Sequence, residues 1–226
     1  MIELVDLRYV HLGASNANDA SKWAQEIYGL EEVSRENGRI YLRGDDRDHN
    51  ICYFDGDPKD NTVGIEVADY NALDQAASHL ESNGVEITWG DDEGAAVRRC
   101  MKYLSFSDPT GNNFDLVVRP FDSGRRYFPS RDAGVHWFNH IGLKTTDAPR
   151  DENFWCTLFN FQANDWIGDA PLMSFDKVHH RFALFPTNEA GVQHINFQVR
   201  ETDDLMRSSY FFNERQIRIV FGPGRH

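Results

Sequence analysis

The sequence predicts an α+β chain of tandem βαβββ modules arranged as two domains. Three observations carry that prediction. Strand-like alternation recurs in IYLRG, NICYF, YLSFSD, FDLVVRP, HRFALFP and IRIVFG. Four stretches, 15–23, 70–82, 148–159 and 201–214, read as helices. The whole pattern then repeats once along the chain.

The first helix opens on the Ser and Asn candidates of ASNANDASK, and the fourth, ETDDLMRSSYFFNER, carries acids in its first turn, where the helix dipole favours them. Between strands, SDPTGNN (107–113) supplies Pro, Gly and Asn where a tight turn needs them. In the repeat, TVGIEV from Thr62 returns as HINFQV from His194, Trp23 as Trp155, and Trp89 as Phe221, each 132 residues on. HLGASN (11–16) aligns with HIGLKT (140–145) at 129, which reads as a three-residue slip in a loop. The predicted domains are 1–120 and 135–226, joined through RPFDSGRRYFPSRDAG (119–134).

Composition narrows the function. A net charge of −13 argues against nucleic acid or an anionic membrane as partner, since both need a basic face. No apolar run approaches the ~20 residues of a membrane span. The start MIELVDLRYV lacks the basic segment of a signal peptide. Cys52, Cys100 and Cys156 lie far apart without CxxC spacing, which fits reduced thiols in a cytoplasmic protein and not a zinc-thiolate site. Dinucleotide, P-loop, HExxH and GxSxG motifs are absent. DRDHN (46–50) and GDDEG (90–94) lack the EF-hand ligand order and read as solvated acidic loops.

What remains is two histidines, His140 and His194, each near the start of a short apolar run. A lone histidine in such a place is more often a satisfied core residue than a ligand. Here, however, the second half carries NHIGL, VHHRFALFP, VQHINFQV and FGPGRH in order. With those motifs it resembles the type I extradiol catechol dioxygenases of the vicinal oxygen chelate superfamily, the fold of glyoxalases and bleomycin resistance proteins. The 2,3-dihydroxybiphenyl and catechol 2,3-dioxygenases are the nearest in kind, and the resemblance spans nearly the whole chain.

That resemblance implies a metal held by His140, His194 and a carboxylate, which leaves open positions for a chelating diol and O2. The metal would be Fe(II), with Mn(II) as the alternative. His180 is implied as the acid–base group beside it, with His179 turned to the opposite strand face and structural. His226 is implied as a catalytic residue that hydrogen-bonds a substrate hydroxyl. The carboxylate has its first-half counterpart in Asp115, so it is expected near position 247, beyond residue 226, and the fourth module is expected to be truncated. His11 is expected to correspond to His140, His49 to His180 and Thr62 to His194, which leaves the first domain without a complete metal site.

The implied function is Fe(II)-dependent extradiol (meta) cleavage of a substituted, even bicyclic, catechol by O2, in a cytoplasmic homo-oligomer. FNFQANDWIGDAPLMSF (159–175) is expected in the pocket wall. Two alternatives stay open: a glyoxalase-like isomerase on another metal, and a non-catalytic protein that binds an aromatic or an antibiotic.

Overall fold

The structure, a computed structural model, describes residues 1–224. The first module runs β1 (Leu4–Ala14), α1 (Ala17–Trp23) continued by a π-helical turn over Ala24–Tyr28, β2 (Glu31–Glu36), β3 (Arg39–Arg43) and β4 (Ile51–Asp55). The second runs β5 (Asn61–Val67), α2 (Tyr70–Ser82), β6 (Ile87–Trp89), α3 (Asp92–Arg98), β7 (Lys102–Ser107) and β8 (Asn113–Val118). The third runs β9 (Val135–Thr145), α4 (Ala148–Leu158), β10 (Gln162–Ile167), β11 (Ala170–Ser174) and β12 (Phe182–Pro186). β13 (Gly191–Val199) and α5 (Thr202–Glu214) open the fourth.

These elements form an eight-stranded sheet, β2-β3-β4-β1-β5-β8-β7-β6, and a five-stranded sheet, β10-β11-β12-β9-β13. The tandem βαβββ plan of the sequence is therefore the observed one. In each sheet one long strand lies between a parallel and an antiparallel neighbour: β1 between β4 and β5, β9 between β12 and β13.

Register gives a stricter alignment of the two halves than motif matching does. Val10 faces Ile51 and Val63, while Ile141 faces Phe182 and Ile195. Val10 and Ile141 are thus equivalent, so Tyr9 corresponds to His140 and His11 to Gly142. The helix starts agree. Asn16 caps α1 by accepting from Asp19 N, as Asp147 caps α4 by accepting from Arg150 N. Asp69 and Glu201 cap α2 and α5. The expected pairing of His11 with His140, and the loop slip that it required, are overturned. The shared HxG spelling misled, because strand partners and not letters fix the position.

The cores of the two sheets merge. One apolar cluster runs from Leu7, Val10, Ile65 and Leu116 of the first sheet to Phe138, Ile141, Phe182 and Leu184 of the second. Trp155 of α4, fully buried, ties them together: its ring centroid lies 4.7 Å from Phe114, 5.1 Å from Phe182 and 4.7 Å from Phe159. Trp23, its expected counterpart, is 46% exposed, and the buried residue next to it is Ala24, the first of the π-helical turn.

Two further expectations are corrected. GDDEG enters α3, because the Asp91 side chain accepts from Gly94 N and so starts a helix. Residues 217–222 form no strand: β6, at the equivalent place, is held by β7, and no described residue pairs with 217–222 in that way. In the segment 159–175, Phe159 and Phe161 are core residues against Trp155, and Phe175 is buried against Phe161. Among the described residues, no helix is long and apolar enough to cross a membrane.

The Trp155 indole N–H has no acceptor among the described residues, so its contribution is packing alone. Trp155→Ala should cost about 3–5 kcal/mol of unfolding free energy in denaturant titrations, whereas Trp155→Phe should retain most of it. Equal losses in the two variants would show that the ring does not work through volume.

Candidate metal centre

His140 lies on β9, buried, and His194 lies on β13, half-buried. They are not direct partners: His140 faces Asn196 and His194 faces Gly142. Since alternate residues share a sheet face, the two imidazoles project diagonally from the same side. Gly142 makes room for this. A Cβ there would come within 2.5 Å of His194 Cε1 and Nδ1, so any side chain would displace the ring. A break in register between Val192 and His194 adjusts the strand further.

The outcome is an Nε2–Nε2 separation of 3.1 Å. Two nitrogens each about 2.1 Å from a metal and at roughly right angles would stand about 3 Å apart, so the pair fits two neighbouring ligand positions. His140 is also oriented for this. Its Nδ1 lies 3.0 Å from Asn139 Oδ1, while Asn139 Nδ2 donates to Gln198 Oε1 at 3.2 Å. With the amide so fixed, Asn139 Oδ1 accepts from Nδ1–H and leaves the His140 Nε2 lone pair facing the centre. Among the described residues no group of three His, Cys, Asp or Glu side chains could hold a metal, so the pair supplies two ligand positions and no third.

His180 comes to the same place from the loop before β12, its ring centroid 4.1 Å from that of His140. Arg181 anchors this loop. It donates through Nε and Nη2 to Asp176 Oδ2 at 2.9 and 2.6 Å, and through Nη1 to Asn139 O at 2.9 Å. His179 does not turn to an opposite face. Both histidines precede the strand, so strand alternation does not apply, and their Nδ1 atoms lie 3.0 Å apart. Phe185 packs against His194, ring centroids 5.5 Å apart. His226 lies outside the described residues. The sequence reading missed Asn139 and Gly142. Both flank the histidine motif, but their roles depend on which residue of β13 lies opposite.

The first domain supplies the contrast. Tyr9 stands at the place of His140, and its hydroxyl donates to Asp115 Oδ2 at 2.9 Å. Arg98 Nε donates to the same oxygen at 2.7 Å, and Ser105 Oγ to Oδ1 at 2.5 Å. The cation beside this buried carboxylate is therefore a guanidinium, part of the chain itself. His11 and His49 do place Nε2 atoms 3.0 Å apart, so separation alone does not single out the second domain. The surroundings differ: His11 and His49 are both buried beneath Tyr9 and Tyr41, whereas His194 is half-buried and a third imidazole, His180, stands beside His140. Burial holds His11 well below the ordinary imidazole range and, despite Asp48 beside it, lowers His49 as well.

No family model matches the chain. It is 26% identical over 245 residues to the biphenyl-2,3-diol 1,2-dioxygenase of Sphingomonas paucimobilis, covering 100% of this chain and 82% of that protein. It is 25% identical over 243 residues to the iron-dependent extradiol dioxygenase of Rhodococcus jostii (strain RHA1), covering 93% and 78%. Among solved structures it matches a crystal structure of catechol 2,3-dioxygenase with a TM-score of 0.89 at 24% identity, over 99% of this chain and 81% of that one. That likeness establishes the fold as the paired-module fold of the extradiol dioxygenases.

Two predictions follow from this geometry. Asn139→Leu should weaken divalent-metal binding about 10–100-fold in a titration under anaerobic conditions, with the circular dichroism unchanged; unaltered affinity would mean that Asn139 does not orient His140. Because His11 and His49 titrate lower when folded, the unfolded chain binds protons first. Their contribution is complete above an unfolded value near 6.5 and is lost as pH falls toward the folded values. The melting temperature should drop between about pH 7 and pH 5, and His11→Gln/His49→Gln should flatten that slope. An equal slope in the double variant would count against the buried pair.

Proposed function

We propose that the protein is an extradiol ring-cleaving dioxygenase in which His140 and His194 hold a ferrous ion, and that it opens substituted catechols with O2. The observation that carries this reading is the 3.1 Å convergence of the two Nε2 atoms, with the His180 ring beside them. The names of the curated relatives support it, one of them for a biphenyl-diol and one specifying iron. Ferrous iron, when bound, supplies Lewis acidity toward both diol oxygens and the redox chemistry that activates O2.

The side chains of this chain supply the rest. Asn139 keeps the hydrogen of His140 on Nδ1, so that ring stays a neutral donor. Gly142 keeps open the volume in which the His194 ring lies. His180, buried and held by the Arg181–Asp176 anchor, is placed to take a proton from a catechol hydroxyl and return it to a departing oxygen. Phe185 gives that region an apolar wall suited to an aromatic ring. A glyoxalase-like isomerase fits less well, since those sites use four protein ligands, and a simple binder has no need of the Asn139-oriented pair.

Protein reconstituted anaerobically with Fe(II) should, on aeration with a catechol, consume O2 and form a yellow ring-opened product. His194→Ala should lose both metal and turnover. His180→Gln should keep its metal but lose about 10²–10⁴ in kcat, together with the corresponding limb of the pH–rate profile. Absence of both oxygen uptake and yellow product from the iron-loaded wild type would sink the proposal.

A further inference from the structure

Away from the histidines, a second recess lies where the two domains meet the linker. It holds about 460 Å³ and is lined by Lys22 of α1, Gln25 and Glu26 of the π-helical turn, Ser130 and Arg131 of the linker, and Phe211 and Arg215 at the end of α5. That volume falls within the range of small-molecule sites.

Its charge is anomalous for this chain. The whole molecule carries −13, yet three cations line the recess against one acid, Glu26. Arg131 and Arg215 both seat on the Phe211 ring, Cζ 4.0 and 3.8 Å from its centre. Two like charges sharing one ring repel, and burial together with Arg215 pulls the Arg131 guanidinium below its usual range. The buried Arg8, Arg43, Arg47 and Arg181 and the half-buried Arg98 each have a carboxylate oxygen within ion-pair distance. Among the described residues no carboxylate stands within 4.0 Å of a Lys22, Arg131 or Arg215 nitrogen. The cluster is also anchored. Arg131 Nε and Nη2 donate to Ile27 O at 3.2 and 2.7 Å, and Ser130 Oγ donates to Gln25 O at 2.6 Å. Those bonds leave Arg131 Nη1 available and fix the guanidinium where it stands.

We infer that this interdomain recess is a binding site for a small anion, a phosphate or an organic carboxylate, held by Lys22, Arg131 and Arg215. A bound anion would offset the mutual repulsion of the two guanidiniums and pin α5 and the linker to the first-domain helix. It would therefore raise the melting temperature by mass action. The site lies apart from the histidine centre and does not depend on the reading of that centre.

The test is calorimetric titration of the intact chain with inorganic phosphate and, separately, with succinate, at about 20 mM ionic strength. The expected result is saturable one-to-one binding of at least one probe, weakening several-fold at about 200 mM salt as screening sets in. Phosphate alone, succinate alone, or both would identify the anion class that the site accepts. Arg215→Gln, which leaves the Arg131 anchor intact, should weaken binding at least about 10-fold, while His194→Ala should leave it unchanged. A melting-temperature rise with the same salt and mutation dependence would support the same site. No saturable binding of either probe, or equal binding by Arg215→Gln, would overturn the inference.

Discussion

The candidate site rests on a diagonal contact between two neighbouring strands. His140 of β9 and His194 of β13 meet because each faces a partner, Asn196 or Gly142, one step away from the other histidine. Only glycine at position 142 leaves room for the His194 ring. A slip of one residue between β9 and β13 would send one histidine to the other face and abolish the centre. Register is in turn held by the merged core behind the sheets, where Trp155 meets phenylalanines of both. A packing constraint thus becomes a chemical one.

The same architecture handles buried charge in two ways. In the first domain, Asp115 is fully buried and is satisfied from within the chain by Arg98, Tyr9 and Ser105. With a tyrosine in place of His140 and threonine in place of His194, that half keeps the scaffold and closes the centre. The second domain leaves its imidazole Nε2 atoms pointed at each other, an arrangement that an added cation would stabilise. Burial of an acid beside a guanidinium yields rigidity, and two converging imidazole nitrogens yield capacity for a ligand.

Much of this was legible in the sequence. The repeat announced the module plan, and the Ser and Asn candidates of ASNANDASK marked the start of α1, where Asn16 is the cap. His140, His180 and His194 were visible from motif and spacing. What escaped depended on pairing across strands. Tyr9, and not His11, matches His140, because equivalence follows hydrogen-bonded partners and not a shared HxG. Asn139 and Gly142 act only through the residues opposite them. Residues 217–222 alternate like a strand but have no partner among the described residues, and a strand exists only in pairing. That Phe159 and Phe161 serve as core for Trp155 was likewise not visible in the run of aromatics.

The most direct test of the account is X-ray absorption at the iron edge of anaerobically loaded protein, compared between the wild type and a His140→Gln/His194→Gln variant. The account requires two imidazole nitrogens in the wild-type iron shell at about 2.1 Å, and their loss in the variant. An identical imidazole signal in both proteins, or none in the wild type, would place the iron elsewhere and contradict the shared grip of these two strands.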